Sequence, residues 1–123
     1  MPEIIYKELS YKIIGIAMEI HRELGYGYLE KVYENALLVL LKENNINAEQ
    51  QKELSVNFRG HEVGKYIADI VIENKIILEL KVATAIKDVH KAQVANYLKT
   101  TGLKLGIIIN FGKDRLEYER VVF

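Results

Sequence analysis

The stretch Tyr66–Val82 reads YIADIVIENKIILELKV, and it decides the fold. Two apolar runs rich in β-branched residues, Tyr66–Ile72 and Ile76–Val82, flank the polar tripeptide Glu73–Lys75. Apolar runs of this length on either side of a turn signal predict two central β-strands joined as a hairpin. Each run also carries charge. Because burying an unpaired charge costs free energy, such residues usually have a partner, a metal or a function.

The charged residues of this hairpin are Asp69 in the first strand and Glu79 and Lys81 in the second. Side chains alternate along a strand, so Glu79 and Lys81 share a face. A three-residue loop pairs Ile72 with Ile76, and the same register brings Asp69 opposite Glu79. We predict this loop, or a bulge with the same effect, because a two-residue loop would place the two carboxylates on opposite faces of the sheet.

Two carboxylates side by side predict a metal site. Their hard oxygen atoms suit Mg²⁺ or Mn²⁺. Such an ion lowers the pKa of a bound water and neutralises charge that develops on a phosphate. Lys81 beside it could orient the water or stabilise the pentavalent phosphorus. The spacing leaves one alternative open, a buried ion pair of Lys81 with Asp69 or Glu79 that has no function.

Hydrophobic spacing predicts the elements that surround the hairpin. Three stretches with helical periodicity predict helices, over residues 4–24, 29–43 and 84–101. Three further alternating or continuous apolar stretches predict strands, at Leu54–Phe58, Leu103–Phe111 and Arg115–Phe123. The resulting order, α-α-β-β-β-α-β-β, predicts an α/β (mixed-sheet α+β) fold in a single domain over residues 1–123, with the third helix as a right-handed parallel crossover.

Composition narrows the class of protein. The chain has 123 residues, of which 50% are hydrophobic and 28% charged, as in ordinary soluble globular proteins. Lys plus Arg and Asp plus Glu are 17 each, so no strongly basic coat for nucleic acid is present. The absence of Cys excludes disulfides and thiolate metal sites. With no apolar run of signal-peptide or membrane-spanning length, we expect a cytoplasmic protein without membrane contact.

The charged residues of the hairpin resemble the PD-(D/E)XK nuclease motif, with Asp69 on one strand and Glu79–Lys81 on the next. Ala68 stands where the superfamily name has a proline, a position at which many members vary. Gln93 and Tyr97 stand at i and i+4 on one face of the third predicted helix. This pair resembles the Q-x-x-x-Y element of RecB-type and Cas4-type members.

A second motif precedes the hairpin. The stretch Gly27–Tyr33 reads G-x-x-E-x-x-Y, the heptad that names the GxxExxY proteins, small prokaryotic members of the same superfamily. Three other sequence elements are similar to those of that family: His21–Gly25, Ala92–Gln93 with Asn96–Lys99, and Ile109–Gly112. The resemblance spans residues 12–122, nearly the whole chain.

The resemblance implies a restriction-endonuclease-like core and a metal-dependent DNA phosphodiester hydrolase. Asp69 and Glu79 would be ligands of Mg²⁺ or Mn²⁺, with the main-chain carbonyl of Leu80 completing the set. Lys81 would be the catalytic lysine. Glu30 would match the helix-borne acid that several members use for a metal or its water. Those five positions form the implied metal and catalytic centre.

Other implied roles fall on the helices. Glu34 competes with Glu30 for the helix acid, and helical-wheel arithmetic puts Glu30 nearer the apolar face. Gln93 would hydrogen-bond near the metal water or a DNA phosphate, and Tyr97 would pack beside the site or contact the DNA backbone. Each has an ordinary alternative: Glu30 favoured by the helix dipole, Gln93 on a solvated face, and Tyr97 or Tyr33 as a core aromatic.

The sequence says less about the roles of the histidines and about the binding partners. His21 could approach Glu30 as a ligand but is expected at the surface or behind the site; His61 lies in a turn; His90 could reach the edge of the site. Net neutrality predicts weak or narrow contact with DNA. A homodimer or a partner protein could supply more surface. The rival functions are a binding or regulatory module with little activity alone, and a structural or interaction domain.

Overall fold

A computed structural model describes residues 4–123 and has the predicted order of elements. The helices are α1 Lys7–Leu24, α2 Glu30–Glu43 and α3 Asp88–Thr101. The strands are β1 Ala48–Phe58, β2 His61–Ile72, β3 Ile76–Lys81, β4 Leu105–Asn110 and β5 Glu117–Val122. They form one five-stranded sheet in the order β1-β2-β3-β4-β5. The fold is therefore mixed α+β, as predicted.

The β2–β3 hairpin has the predicted three-residue loop. Ile72 pairs with Ile76, and the ladder continues toward the core from there. Glu73 and Asn74 both adopt left-handed backbone conformations, with φ of 54°. The N–H of Lys75 donates to the carbonyl of Ile72 at 2.9 Å, which closes the turn. The odd-length loop thus fixes the register on which the candidate site depends.

Helices cover both faces of the sheet. β3 and β4 are parallel and are joined through α3, whereas the other neighbouring strands are antiparallel. One face packs against α1 and α2 in the larger cluster of buried residues, and the other packs against α3 in a smaller cluster. Every residue of β4 is buried, as expected for a central strand with both faces covered. None of the helices in residues 4–123 is long and apolar enough to cross a membrane.

Helix α3 begins at Asp88, later than the predicted start at residue 84. The buried side-chain amide of Asn110 accepts a hydrogen bond from the N–H of Ala83 and donates one to its carbonyl, each at 2.9 Å. The Glu117 carboxylate accepts from the N–H of Ile86, also at 2.9 Å. Because side chains from β4 and β5 satisfy these backbone groups, residues 82–87 form a loop and the helix starts after them.

Strand β1 is longer than predicted. Its first half, residues 48–53, reads AEQQKE and lacks the apolar alternation that identified Leu54–Phe58. It nevertheless pairs with β2 from Ala48↔Ile72 onward. β1 is the edge strand of the sheet, where polar side chains are common because one side of the strand faces solvent.

Candidate active site

The site lies where β2 and β3 separate. Their ladder ends at Ile70↔Leu78, one position before Asp69 and Glu79 would face each other. There the Asp69 carboxylate accepts a hydrogen bond from the N–H of Leu80 at 2.8 Å. A side chain therefore replaces the main-chain partner at this point. The fork between the strands leaves room for polar groups in a sheet that is otherwise apolar.

Both hairpin carboxylates are held in a poorly solvated place. Burial raises the pKa of Glu79 to about 7, against the opposing effect of the Lys81 charge. Burial also raises the pKa of Asp69, although the Leu80 N–H bond favours its charged form. Within the described chain, Oε1 of Glu79 is buried and has no hydrogen-bond partner. This oxygen therefore lacks the donor or cation that its burial would normally require, although the main-chain N–H of Asp69 favours the charged form of the carboxylate.

Lys81 stands among these acids without pairing to one of them. Its charge influences the pKa of Asp69, Glu79 and Glu30. Yet across residues 4–123 Lys81 forms no salt bridge with any acidic side chain. The internal ion pair that the spacing left open as an alternative is not formed in this structure.

Helix α2 brings two further acids to the fork. Glu30 is partly exposed, and burial and then the Asp69 charge raise its pKa. Glu34 is only 2% exposed, and its charge also acts on Asp69 and Glu79. The helical-wheel argument that placed Glu30 nearer the apolar face was wrong, because Glu34 is the buried member of the pair. Both acids, however, lie within electrostatic reach of the hairpin carboxylates.

Glu34 is held by side chains that the sequence did not single out. Gln51 donates to its Oε1 at 2.9 Å, while Gln50 and Lys31 donate to its Oε2, the latter at 2.9 Å. Gln51 has a left-handed backbone with φ of 52°. The glutamines belong to the polar half of β1 and carry no local sequence signal. Only the pairing of β1 with β2 brings them to α2.

The Q-x-x-x-Y pair of α3 is in contact. The side-chain amide of Gln93 donates to the hydroxyl of Tyr97 at 3.3 Å. Tyr97 stacks on Tyr66 of β2, with ring centroids 3.3 Å apart. Gln93 is exposed. Within residues 4–123 its side chain bonds to Tyr97 and not to the hairpin acids. α3 therefore packs beside the site, and the roles implied for both residues stay predictions.

His90 lies at the start of α3. Its Nδ1 accepts a hydrogen bond from the N–H of Lys87 at 3.1 Å, which caps the helix. Partial burial and then the charges of Lys81 and Lys87 lower the pKa of His90. The charge of Lys81 therefore acts on His90, and a role for His90 at the edge of the site stays a prediction.

The tyrosine of the G-x-x-E-x-x-Y heptad holds the segment before Glu30 in place. Tyr33 is fully buried; its hydroxyl donates to the carbonyl of Gly25 at 2.7 Å and accepts from the N–H of Tyr28 at 3.3 Å. Its ring stacks on Phe111, with centroids 4.5 Å apart. The buried Tyr33 of the heptad therefore fixes the loop that immediately precedes Glu30.

Within residues 4–123, the other two histidines form no salt bridge with an acidic side chain. Nε2 of His21 donates to the carbonyl of Lys113 at 2.7 Å, and its ring lies 6.3 Å from that of Phe111. His21 therefore anchors the loop between β4 and β5. His61 is exposed, as predicted, but it is the first residue of β2 and does not lie in the turn, which is formed by Arg59 and Gly60.

The chemistry of the donors fits a small divalent cation. No three His, Asp or Glu side chains of residues 4–123 converge closely enough to hold a metal ion. A centre made of Asp69, Glu79 and the carbonyl of Leu80 needs only two acidic side chains. The buried, unpartnered Oε1 of Glu79 is the kind of hard oxygen that Mg²⁺ or Mn²⁺ binds.

Comparison with known proteins agrees with this geometry. No curated protein sequence matches the chain. Among solved structures, the crystal structure of SSO0001 is similar, with a TM-score of 0.59 and 28% identity over 95% of this chain. The chain spans 57% of the SSO0001 chain. The sequence profile of the PD-(D/E)XK nuclease superfamily matches residues 7–121, which include the strand fork, both acidic positions of α2 and Lys81. The chain belongs to the PD-(D/E)XK nuclease superfamily.

Proposed function

We propose that this protein is a metal-dependent hydrolase of DNA phosphodiesters. The observation that carries the proposal is the strand fork, where a buried Glu79 oxygen without a partner lies near Asp69 and an unpaired Lys81. A purely structural charge cluster would be expected to satisfy its members internally. Membership of a nuclease superfamily supports the same conclusion.

Asp69, Glu79 and the Leu80 carbonyl would hold Mg²⁺ or Mn²⁺, with Glu30 or Glu34 acting through water from α2. A bound divalent ion supplies Lewis-acid stabilisation of the phosphate and a more acidic water. Asp69 has a second task in the structure. Its bond to the Leu80 N–H ties β2 to β3 at the fork, so the ligands on the two strands keep their spacing.

We infer that Lys81 acts on the substrate. Its ammonium has no acidic partner in the described chain, so it can donate to a non-bridging phosphate oxygen and orient the attacking water. His90 and Gln93, in the first two turns of α3, are candidates to hydrogen-bond a neighbouring phosphate.

The test is a cleavage assay on single-stranded, double-stranded and branched DNA, with Mg²⁺, with Mn²⁺ and with EDTA. We expect metal-dependent cleavage that falls by at least about a hundredfold in Asp69→Asn and in Lys81→Met. Lys104→Met, which removes an exposed lysine before β4, is the matched control and should retain full activity. Cleavage by both site variants at the wild-type rate, or cleavage in EDTA, would refute the proposal.

A second candidate is a DNA-binding or regulatory module on the same fold. The observation that favours it is that the acids in residues 4–123 do not converge into a group that holds a metal. A partner protein or a second copy of the chain would then supply the remaining surface or ligands. Metal-independent DNA binding without cleavage on all three substrates would favour this candidate.

A further inference from the structure

The loop between α1 and α2, residues 25–29, exposes an unusual amount of apolar surface. We call it the aromatic loop. Tyr26 is 61% exposed, Tyr28 50% and Leu29 79%. Two tyrosines and a leucine within four residues give a local apolar patch, and such patches on otherwise polar surfaces commonly mark binding sites.

The aromatic loop has a defined shape. Gly25 and Gly27 adopt φ of 72° and 114°, conformations that side-chain-bearing residues rarely adopt. The Tyr33 hydroxyl bonds main-chain atoms on both sides of the loop, the carbonyl of Gly25 and the N–H of Tyr28. The exposed rings are therefore presented on a fixed backbone, which reduces the entropy lost when a ligand binds.

The aromatic loop is connected to the proposed site through packed rings. Tyr28 meets Tyr33 edge to face, with centroids 6.1 Å apart, and Tyr33 stacks on Phe111. The N–H of Phe111 donates to the carbonyl of Lys81 at 2.9 Å. Glu30 follows the loop directly in the chain. The exposed rings and the fork are thus on neighbouring parts of the same end of the sheet.

We propose that the aromatic loop binds unpaired bases of a nucleic acid whose backbone lies at Lys81, so that the substrate is a single strand or an unpaired end. This inference rests on the proposed function. Flat aromatic side chains stack on bases only when the bases are free of a duplex. The chain has no net charge, so it has little general attraction for the phosphates of a long duplex. Stacking is the stronger contribution available.

The inference is tested by binding, measured without cleavage. Fluorescence anisotropy with a short labelled DNA single strand would use Ca²⁺ in place of Mg²⁺, and would be repeated in the Lys81→Met background. We expect Tyr26→Ala and Tyr28→Ala each to weaken binding about tenfold, the typical value of one base–aromatic stack. Tyr26→Trp should keep or increase affinity, and a blunt duplex should bind weakly to every variant.

Tyr11→Ala is the matched control. Tyr11 is a tyrosine of similar exposure, 56%, on α1. It lies about 20 Å along the helix from the loop. Its removal should leave the affinity unchanged. An RNA strand of the same sequence, measured in parallel, shows which nucleic acid the loop prefers, and tenfold weakening with either one supports the inference.

The outcomes separate this inference from the proposed function. Wild-type affinity in both Tyr26→Ala and Tyr28→Ala would show that the aromatic loop does not bind bases. The proposal of cleavage at the fork would be unaffected. Absent cleavage together with loop-dependent binding would overturn the proposed function and leave base binding standing as a property of the loop. If the variants change only the sedimentation of the protein and not its affinity for the oligonucleotide, the loop binds protein and the inference is wrong.

Discussion

The two ends of the β2–β3 hairpin differ sharply, although the same two strands form both. At the turn end, three pairs of residues from Ile70↔Leu78 to Ile72↔Ile76 form a regular ladder, and all six side chains are at most 2% exposed. At the open end, the next side chains are Asp69 and Glu79, and the ladder is interrupted by a bond from a side chain to the main chain.

The comparison shows how a small chain keeps a buried charged site. The turn end and its neighbours in β4 supply apolar burial and fix the register. The open end holds carboxylates whose pKa values are raised by burial, which means that their charged forms are destabilised there. Leu78 and Glu79 are adjacent, yet their removal should change the free energy of unfolding in opposite directions.

The largest effect is expected at the turn end. Leu78 is fully buried in the larger core cluster, so Leu78→Ala removes apolar contacts and leaves a cavity. We expect a loss of about 3 to 5 kcal/mol in the free energy of unfolding. Urea denaturation measures it. Leu29→Ala, at a residue that is 79% exposed, is the control and should change stability by less than about 0.5 kcal/mol. Equal losses in the two variants would contradict the assignment of the core.

The next effect concerns the backbone beside the open end. A Cβ on Gly112 would lie 2.6 Å from the N of Ala83 and 2.6 Å from the carbonyl carbon of Val82, main-chain atoms that cannot move aside easily. Gly112→Ala should therefore cost about 2 to 3 kcal/mol and displace the segment that follows Lys81. Thermal unfolding and the cleavage assay should both show the defect. Gly64→Ala, at a glycine whose added Cβ meets nothing within 4 Å, should be tolerated far better.

The third prediction is a gain in the free energy of unfolding, whereas the first two are losses. In the folded chain the carboxyl of Glu79 keeps its proton up to a pKa of about 7, against an ordinary value of 4.5. The folded state therefore binds more protons than the unfolded state between these values, and stability falls as the pH rises from about 4.5 through 7. Glu79→Gln cannot ionise, so we expect it to be about 3 kcal/mol more stable than wild type well above pH 7 and nearly equal to it below pH 4.5.

Thermal unfolding in EDTA at several pH values measures this difference. Glu19→Gln, at an exposed residue inside α1, is the matched control and should keep the wild-type dependence of stability on pH. Mg²⁺ should raise the melting temperature of wild type above pH 7, where Glu79 is charged, and leave that of Glu79→Gln unchanged. A wild-type protein whose stability rises from pH 4.5 to 7 relative to Glu79→Gln would contradict the burial argument.

The turn end was predictable from the sequence, and much of the open end was not. The apolar runs and the odd-length loop are local features, and together they specify the register Ile72↔Ile76 that the structure has. The contact of Gln93 with Tyr97 is also local, since the two residues are one helical turn apart. Local periodicity therefore located the strands and one face of a helix.

What the sequence missed depends on contacts between distant segments. The burial of Glu34 rather than Glu30 follows from the glutamines of β1, which reach α2 only after the sheet has formed. The late start of α3 follows from Asn110 of β4, whose amide holds the loop after Lys81. The glutamines lie in a polar stretch and do not stand out, whereas Asn110 stands out in an apolar run but its partner Ala83 lies 27 residues earlier in the chain. Such side chains could be found only by knowing which strands are neighbours.

The smallest effect is expected where the open end meets the aromatic loop. Tyr33→Phe keeps the ring that stacks on Phe111 but removes the hydroxyl that bonds Gly25 and Tyr28. We expect a loss of about 1 kcal/mol, the usual contribution of such bonds. Faster hydrogen exchange should be confined to the loop amides, that of Tyr28 above all. Tyr97→Phe, which loses one bond to an exposed glutamine, should cost less.

If Tyr33→Phe instead weakens the whole fold as much as Leu78→Ala, then the loop is part of the core and the open end is not a separate, less stable region. If it costs only about 1 kcal/mol but lowers affinity for a DNA single strand several-fold, the hydroxyl acts by fixing the exposed rings before the strand arrives. The second result is the one we expect. In Tyr33→Phe the ring keeps its stacking contact with Phe111 in the core, and only the hydroxyl bonds to the loop are lost.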